Sequence, residues 1–371
     1  MGKTKIVFVM HELSIGGAER VVSSLVNNLD REKFDVHLCL FKKKGSLVDT
    51  LAEDITLHDL KASRVITSGY KLFLLVLQLK PDIVFTSITH VNLLLGIFIP
   101  FLRPFCKNTS FITREVNIPS IRAKHIPASK KLDRFYKRFI HNFDLIVAQS
   151  DFMKQDIHQS YNVDNKKIRV VNNPLDTMMI KEALLDEASA APLFKPGKIN
   201  ILAVGNLRRQ KGFDILLRAM PLLNDRFHLN ILGEGRERGL LEKMIKALNI
   251  SEKVTLLGFQ KNPYTYMSNA DIIVLSSRYE GFPNVILEAN ACGKFVIAFE
   301  CPGVSSEIIQ NGVNGFLVAA GNNRALSEAI EKYADLIHDE ESIIETTKRY
   351  EVGSVVERYN NIFLDQMDRQ V

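Results

Sequence analysis

Short apolar, β-favouring runs recur along this chain, each parted from the next by a stretch of helical periodicity, and that alternation limits its fold more than any other feature. In the first half the runs are KIVFVM, DVHLCLF, ITLHDL, DIVFTS, SFITRE, DLIVAQS and IRVVNN. Each reads as apolar on both faces, as a strand must be when helices cover both sides of its sheet. Such strands pair in parallel through right-handed β-α-β crossovers, which predicts a doubly wound α/β domain over 1–187. Residues 188–197, ASAAPLFKPG, carry no periodicity, two prolines and a glycine, and read as an interdomain linker. A second alternation follows over 198–353, in INILAVGN, FHLNILG, VTLLGF, DIIVLSS, FVIAF and NGFLV. The halves do not repeat in sequence, so this is one architecture used twice and not a solenoid. A chain of 371 residues is long enough for two such domains. The last segment, 354–371, has a helical stripe through Val355, Val356, Tyr359, Ile362, Phe363 and Met367, and is expected to cross back and pack on the first domain.

Composition removes several classes. With 46% hydrophobic and 24% charged residues the chain is an ordinary globular one, not a disordered or collagenous one. Its four cysteines lack zinc or disulfide-framework spacing, which points to a reducing compartment. The apolar stretch after the N-terminal lysines is too short for a signal-peptide core, and no apolar run reaches the roughly 18 residues of a spanning helix. The protein is therefore expected in the cytoplasm. Charge is uneven: 27 Lys and Arg stand against 20 Asp and Glu through residue 187, and 21 against 22 beyond it. An anionic partner or surface for the first half alone is implied.

Two doubly wound sheets facing one another bind ligands at the carboxyl ends of their strands, so function is expected in the cleft between them. The most informative segment is SSRYEGFPNVILEANACG, 276–293, which follows the strand DIIVLSS. Pro283 fits the first position of a helix, which would leave the N–H groups of Asn284, Val285 and Ile286 and the positive end of the helix dipole for an anion. Glu280 and Glu288 flank that place. Carboxylates beside an anion are tolerable when they bind something else, and vicinal hydroxyls are the natural partners. A nucleotide sugar offers a diphosphate and two sets of hydroxyls together.

The paired glutamates of EGFPNVILE resemble the motif of retaining glycosyltransferases of the GT4 family, which have the two-Rossmann GT-B fold. The resemblance covers most of the chain. NILAVGNLRRQKGFDILLRA is similar to the family's strand, glycine and Lys-Gly stretch, and implies that Lys211 holds the donor diphosphate. Asn206 replaces the arginine usual just after the glycine, and Arg208 and Arg209 stand near enough in sequence to compensate. The resemblance further implies that backbone at Gly258 and Phe259 pairs with the donor's base. Gly281, Phe282, Pro283, Asn284 and Val285 would line the donor, with Glu280 on its sugar hydroxyls and Glu288 on the ribose diol. Gly16 and Gly17, in HELSIGGAERVV, lie where a helix begins and let backbone N–H groups approach an anion closely; the family's GGAER segment touches donor phosphates or acceptor. In ITREVNIPS, Glu115 occupies the place where many members have a histidine facing the donor sugar, with Arg114 and Asn117 beside it. The competing reading of Glu115 is a strand-end ion pair with Arg114.

Together these imply a metal-independent, retaining hexosyltransferase without a bound cofactor, its co-substrate a nucleotide-diphosphate sugar of the UDP type, with Glu280, Lys211 and Glu115 as catalytic candidates. No Asp-x-Asp occurs, and none of the nine histidines has a partner at metal or triad spacing. The glycines of GEGRERG, Gly233, Gly235 and Gly239, miss the dinucleotide fingerprint by one residue, which argues against a dehydrogenase. A glycosidase pair fits poorly too, because eight residues of helix separate carboxylates by about 12 Å. An epimerase of the same fold and a non-catalytic binding subunit remain as alternatives. Between residues 114 and 138 cations including Lys130, Lys131, Lys137 and Arg138 are interleaved with large apolar residues, as in a segment lying on anionic lipid. Nucleic acid would also attract such charge, but with the sugar-transfer cleft that the resemblance implies, the expectation is a glycan or polyprenyl-diphosphate-linked glycan acceptor, peripheral attachment to the inner face of the cytoplasmic membrane, and no nucleic acid.

Overall fold

The computed structural model describes residues 2–14, 16–62, 65, 67–125, 130–185, 194–303, 307–336 and 338–368. The chain forms two compact units: Met1–Pro174 with Val352–Val371, and Leu175–Glu351.

In the first unit seven strands make one sheet: β1 (Thr4–Met10), β2 (Phe34–Leu40), β3 (Thr56–Asp59), β4 (Ile83–Thr86), β5 (Ser110–Arg114), β6 (Leu145–Ala148) and β7 (Ile168–Val170). All pairs are parallel, in the order β3-β2-β1-β4-β5-β6-β7, so the chain reverses its winding between β1 and β4. Period-2 alternation assigns the side chains to two cores. Val7, Val9, Val84, Phe111 and Ile146 face one layer of helices, while Ile6, Phe8, Phe85, Ile112 and Val147 face the other. β3 departs from the expectation of two apolar faces: Thr56 and Asp59 are exposed, because an edge strand is paired on one side only.

The helix Val352–Asp368 closes this unit's second layer, with Val355, Val356, Tyr359 and Phe363 buried. The Phe363 ring lies 5.9–6.2 Å from those of Phe8, Phe34 and Phe85, within the range of favourable edge-to-face contacts.

The second unit repeats the plan with β8 (Ile199–Val204), β9 (Phe227–Leu232), β10 (Val254–Gly258), β11 (Ile272–Leu275), β12 (Val296–Glu300) and β13 (Gly315–Ala319), ordered β10-β9-β8-β11-β12-β13 and parallel throughout. Ile201, Leu229, Val274 and Ile297 face one core and Leu202, Ile273, Leu275 and Ala298 the other. The units divide at Pro174 and Leu175, earlier than the proposed linker at 188–197. The helix Thr177–Leu184 belongs to the second unit: Ile180 is buried in its core, and the Leu175 N–H donates to the Tyr350 carbonyl at 2.7 Å. Residues 186–193, which include most of that linker, lie outside the described residues.

Candidate active site

The chemistry-bearing loops of the second unit follow β8, β9, β11 and β12. The loop after β8 makes a tight 3-10 turn, Arg209–Lys211, and enters the helix Phe213–Ala219 through Gly212, whose φ of +64° lies in the left-handed region. Only glycine fits there, because an added Cβ would lie 2.0 Å from the Ser276 carbonyl oxygen. That approach presses the turn against the loop after β11. The Ser276 hydroxyl donates to the Lys211 carbonyl (3.0 Å), the Arg278 N–H to the Gln210 carbonyl (2.8 Å), and the Gln210 amide to the Tyr279 carbonyl (3.1 Å).

Across this seam the Lys211 ammonium meets Glu280 Oε1 at 2.7 Å, and the Ser277 hydroxyl donates to the same oxygen at 2.5 Å. Glu280 Oε2 has no protein donor among the described residues. The Glu280 N–H donates to the Pro302 carbonyl (2.8 Å), and Gly303, at φ +85°, packs so close that a Cβ there would lie 1.9 Å from the Glu280 carbonyl oxygen. Glu280 is thus fixed at backbone and side chain and only 5% exposed. Ser-x-x-Glu spacing in SSRYE was the available signal for Ser277.

Other site candidates fall where their local backbone dictates. Asn206, Arg208 and Arg209 are exposed on the loop after β8, and Glu288 is half-buried on the helix Asn284–Ala291. Gly258 takes a positive φ of +74° at the end of β10, its carbonyl accepting from the Gly233 N–H (2.8 Å), and Phe259 beside it is exposed. Gly233 and Gly235 serve packing: a Cβ on either would strike the Gly205 or Leu207 carbonyl of the neighbouring loop. The Phe282 ring is buried in the unit's core, 6.1 Å from Tyr350, with Gly281 half-buried before it.

Pro283 is a correction. It precedes the helix as its cap, at φ −85° and ψ 78°, an inverse γ-turn in which the Asn284 N–H donates to the Phe282 carbonyl (3.1 Å). The Ile286 N–H donates to the Pro283 carbonyl (3.0 Å). Of the three N–H groups expected for an anion, Val285's alone lacks a backbone acceptor among the described residues.

In the first unit, Gly16 caps the helix Gly17–Asn28 in an extended conformation, and Glu19 folds over it: a Cβ on Gly16 would lie 2.3 Å from Glu19 Oε2. Burial pushes the Glu19 carboxyl above its usual range. No neighbouring atom would meet a Cβ on Gly17.

Glu115 departs from its competing reading as a strand-end ion pair. It continues from β5 into the interior, 1% exposed, where it accepts from the Tyr136 hydroxyl and the Asn92 amide (3.4 Å). Burial pushes its carboxyl up, against the pull of the Tyr136 hydroxyl and Arg122. Arg114 is buried separately, with its guanidinium on Ser87 (2.9 Å) and Asn173. Successive strand residues point to opposite faces, which parts the two. Arg122 is likewise internal, paired with Asp133. Two of the cations assigned to a lipid-facing segment thus belong to the core.

Histidines distant in sequence do meet: His37 Nδ1 lies 2.8 Å from His58 Nε2 across β2 and β3. Among the described residues no group of three His, Cys, Asp or Glu stands close enough to hold a metal ion. No helix among them is long and apolar enough to cross a membrane.

Comparison with known proteins agrees with this architecture in both units. A family model described as glycosyltransferase family 4 matches residues 15–178, and one described as glycosyl transferases group 1 matches residues 186–350. An N-acetylgalactosamine-N,N'-diacetylbacillosaminyl-diphospho-undecaprenol 4-alpha-N-acetylgalactosaminyltransferase from Campylobacter jejuni is 29% identical over 340 residues, which cover 88% of this chain and 89% of the relative. Among solved structures, Anabaena Alr3699/HepE in complex with UDP aligns over 98% of this chain and 100% of its own, with a TM-score of 0.77 and 19% identity. Sucrose-phosphate synthase from Thermosynechococcus elongatus aligns over 99% and 100%, with a TM-score of 0.79 and 16% identity. With both family models matched in tandem on two parallel Rossmann-like sheets, the chain belongs to the GT4-type glycosyltransferases of GT-B fold.

Proposed function

We propose that this enzyme is a retaining glycosyltransferase that needs no metal and moves a hexose or N-acetylhexosamine from a UDP-linked donor to a lipid-linked glycan. The observation that carries the reading is the Lys211–Glu280 pair, 2.7 Å apart at the carboxyl end of the second unit's sheet, where open α/β sheets bind ligands. As the anomeric C–O bond breaks, its electron pair passes to the diphosphate. Lys211 at the seam and the exposed Arg208 and Arg209 beside it offset that growing charge. Glu280, clamped through Oε1, presents Oε2 to the sugar's hydroxyls, and Glu288 takes the ribose diol. The buried Glu115 supports the first unit's fold and does not touch the donor.

The UDP complex of Alr3699/HepE supports the choice of nucleotide, and the undecaprenol-linked substrate in the name of the Campylobacter relative supports the acceptor class. Attachment to the inner face of the cytoplasmic membrane draws on the helix Lys130–Phe139. It buries Asp133 and Tyr136 while Leu132 and Phe135 stand exposed, the latter at 62%, beside the exposed Arg134, Lys137 and Arg138. The test is transfer from a panel of UDP-hexoses and UDP-N-acetylhexosamines to polyprenyl-diphosphate-linked glycans in excess EDTA, with the product examined by proton NMR. An α-linked product from an α-linked donor is expected. A β-linked product, a requirement for added divalent metal, or a changed donor sugar without acceptor would overturn the reading.

A further inference from the structure

Arg278 lies two residues before Glu280, yet its side chain turns toward the loop after β8. One guanidinium nitrogen donates to the Arg209 carbonyl (2.7 Å) and to Asp214 Oδ1 (2.7 Å), and the other to Asp214 Oδ2 (2.8 Å). Asp214 sits in the first turn of the helix Phe213–Ala219, so this fork spans the turn that carries Lys211, from its first residue to the helix beyond. The Asp214 side chain is 16% exposed and that of Arg278 25%, which shields the pair from most solvent screening. Lys211 and Glu280 come from segments 69 residues apart in sequence. The fork adds a second charged link across the seam to the Lys211–Glu280 pair itself, beside the bonds made by Ser276, Gln210 and the Arg278 N–H.

We infer that Arg278 and Asp214 form a clamp that positions Lys211 against Glu280, and that both are positioning residues for the transfer reaction. The inference rests on the proposed role of the Lys211–Glu280 pair. A planar bidentate fork resists rotation about the seam, which a single lysine contact would not.

Two measurements on the full chain separate the clamp from the donor reading. The first uses no ligand: acetylation of Lys211 by an amine-reactive ester, followed by mass spectrometry. In Arg278→Gln and Asp214→Asn the Lys211 labelling rate should rise, and in Arg278→Lys by less, with labelling of the exposed Lys332 unchanged. The rise should be severalfold, because Lys211, whose side chain is 20% exposed, would be released from its Glu280 partner to solvent. Labelling at the wild-type rate in folded variants of both residues would overturn the clamp. The second is UDP binding by calorimetry: Arg278→Gln should weaken it severalfold, and should weaken it no further when Lys211→Ala is already present. Additive losses would mean that Arg278 touches the ligand itself, and would overturn its positioning role. If wild type fails to bind UDP, the donor reading falls while the labelling result still decides the clamp.

Discussion

Replacing Gly212 with alanine probes the seam on which the site depends. Gly212 sits at φ +64°, and its Cβ would lie 2.0 Å from the Ser276 carbonyl oxygen. A left-handed alanine costs about 1–2 kcal/mol by itself. An ordinary carbon–oxygen contact is about 3.3 Å, so the loop after β11 must also retreat by roughly 1.3 Å. Overpacking of this kind adds about 1–3 kcal/mol. The same retreat carries Glu280 away from Lys211, and an ångström of misplacement at a reacting centre is enough for about a hundredfold loss in rate. Gly321 supplies the control: its φ is +76° in the same unit, but no atom lies within 4 Å of its added Cβ. In urea titrations Gly321→Ala should lose the backbone cost alone, and Gly212→Ala clearly more. In transfer assays Gly321→Ala should match wild type while Gly212→Ala falls about a hundredfold. Equal stability losses in the two variants, or full turnover in Gly212→Ala, would mean that the close approach at Gly212 does not hold the seam.

Phe363→Ala removes a fully buried ring from the three-phenylalanine contact on the closing helix and should cost the first unit about 3–5 kcal/mol, read as a lower urea midpoint; an unchanged midpoint would mean that the helix does not seal that core. Half-burial pulls the Asp214 carboxyl up, but Arg278 and Arg218 together hold it below its usual range. The pair's contribution should therefore be full above the unfolded carboxyl value of about 3.9 and fade as pH falls through the lower folded value. The melting-temperature gap between wild type and Asp214→Asn should narrow correspondingly in acid, and a gap that widens there would contradict the pairing. Sedimentation with anionic vesicles should fall as salt rises and be lost when Lys130, Lys131, Lys137 and Arg138 are changed to Glu; equal binding to neutral vesicles would argue against a charged lipid surface.

The strands were legible because burial on both faces leaves an unbroken apolar run, and each expected run holds a strand in one of the two sheets. β3 shows the limit, since an edge needs only one covered side and tolerates Thr56 and Asp59. The unit boundary at Leu175 was not legible in composition, because it is set by what the helix Thr177–Leu184 packs on, and Ile180 packs in the second unit.

In the site, Glu280 and Lys211 could be named from local motifs, while their meeting could not, because it spans 69 residues. Arg278 and Asp214 escaped for the same reason: each sits inside a legible motif, but nothing local pairs a charge with one 64 residues away. Pro283 shows a different gap. Its type suits either the cap or the first helical position, and only ψ decides which N–H groups remain. For Glu115 and Arg114, charge alone suggested exposure or mutual pairing, whereas the strand pleat sends the two side chains to separate buried partners.

In the proposed reaction the clamped carboxylate of Glu280 holds the donor sugar for transfer. The most direct test of that hold is the initial rate of UDP release from UDP-sugar in the presence of acceptor, compared between wild type and Glu280→Gln. Glutamine keeps the size and a hydrogen-bonding oxygen but removes the charge that pairs with Lys211 and strengthens bonds to hydroxyls. Glu280→Gln should lose at least about a hundredfold in rate while its circular dichroism matches wild type. A folded Glu280→Gln enzyme that releases UDP at the wild-type rate would contradict that role.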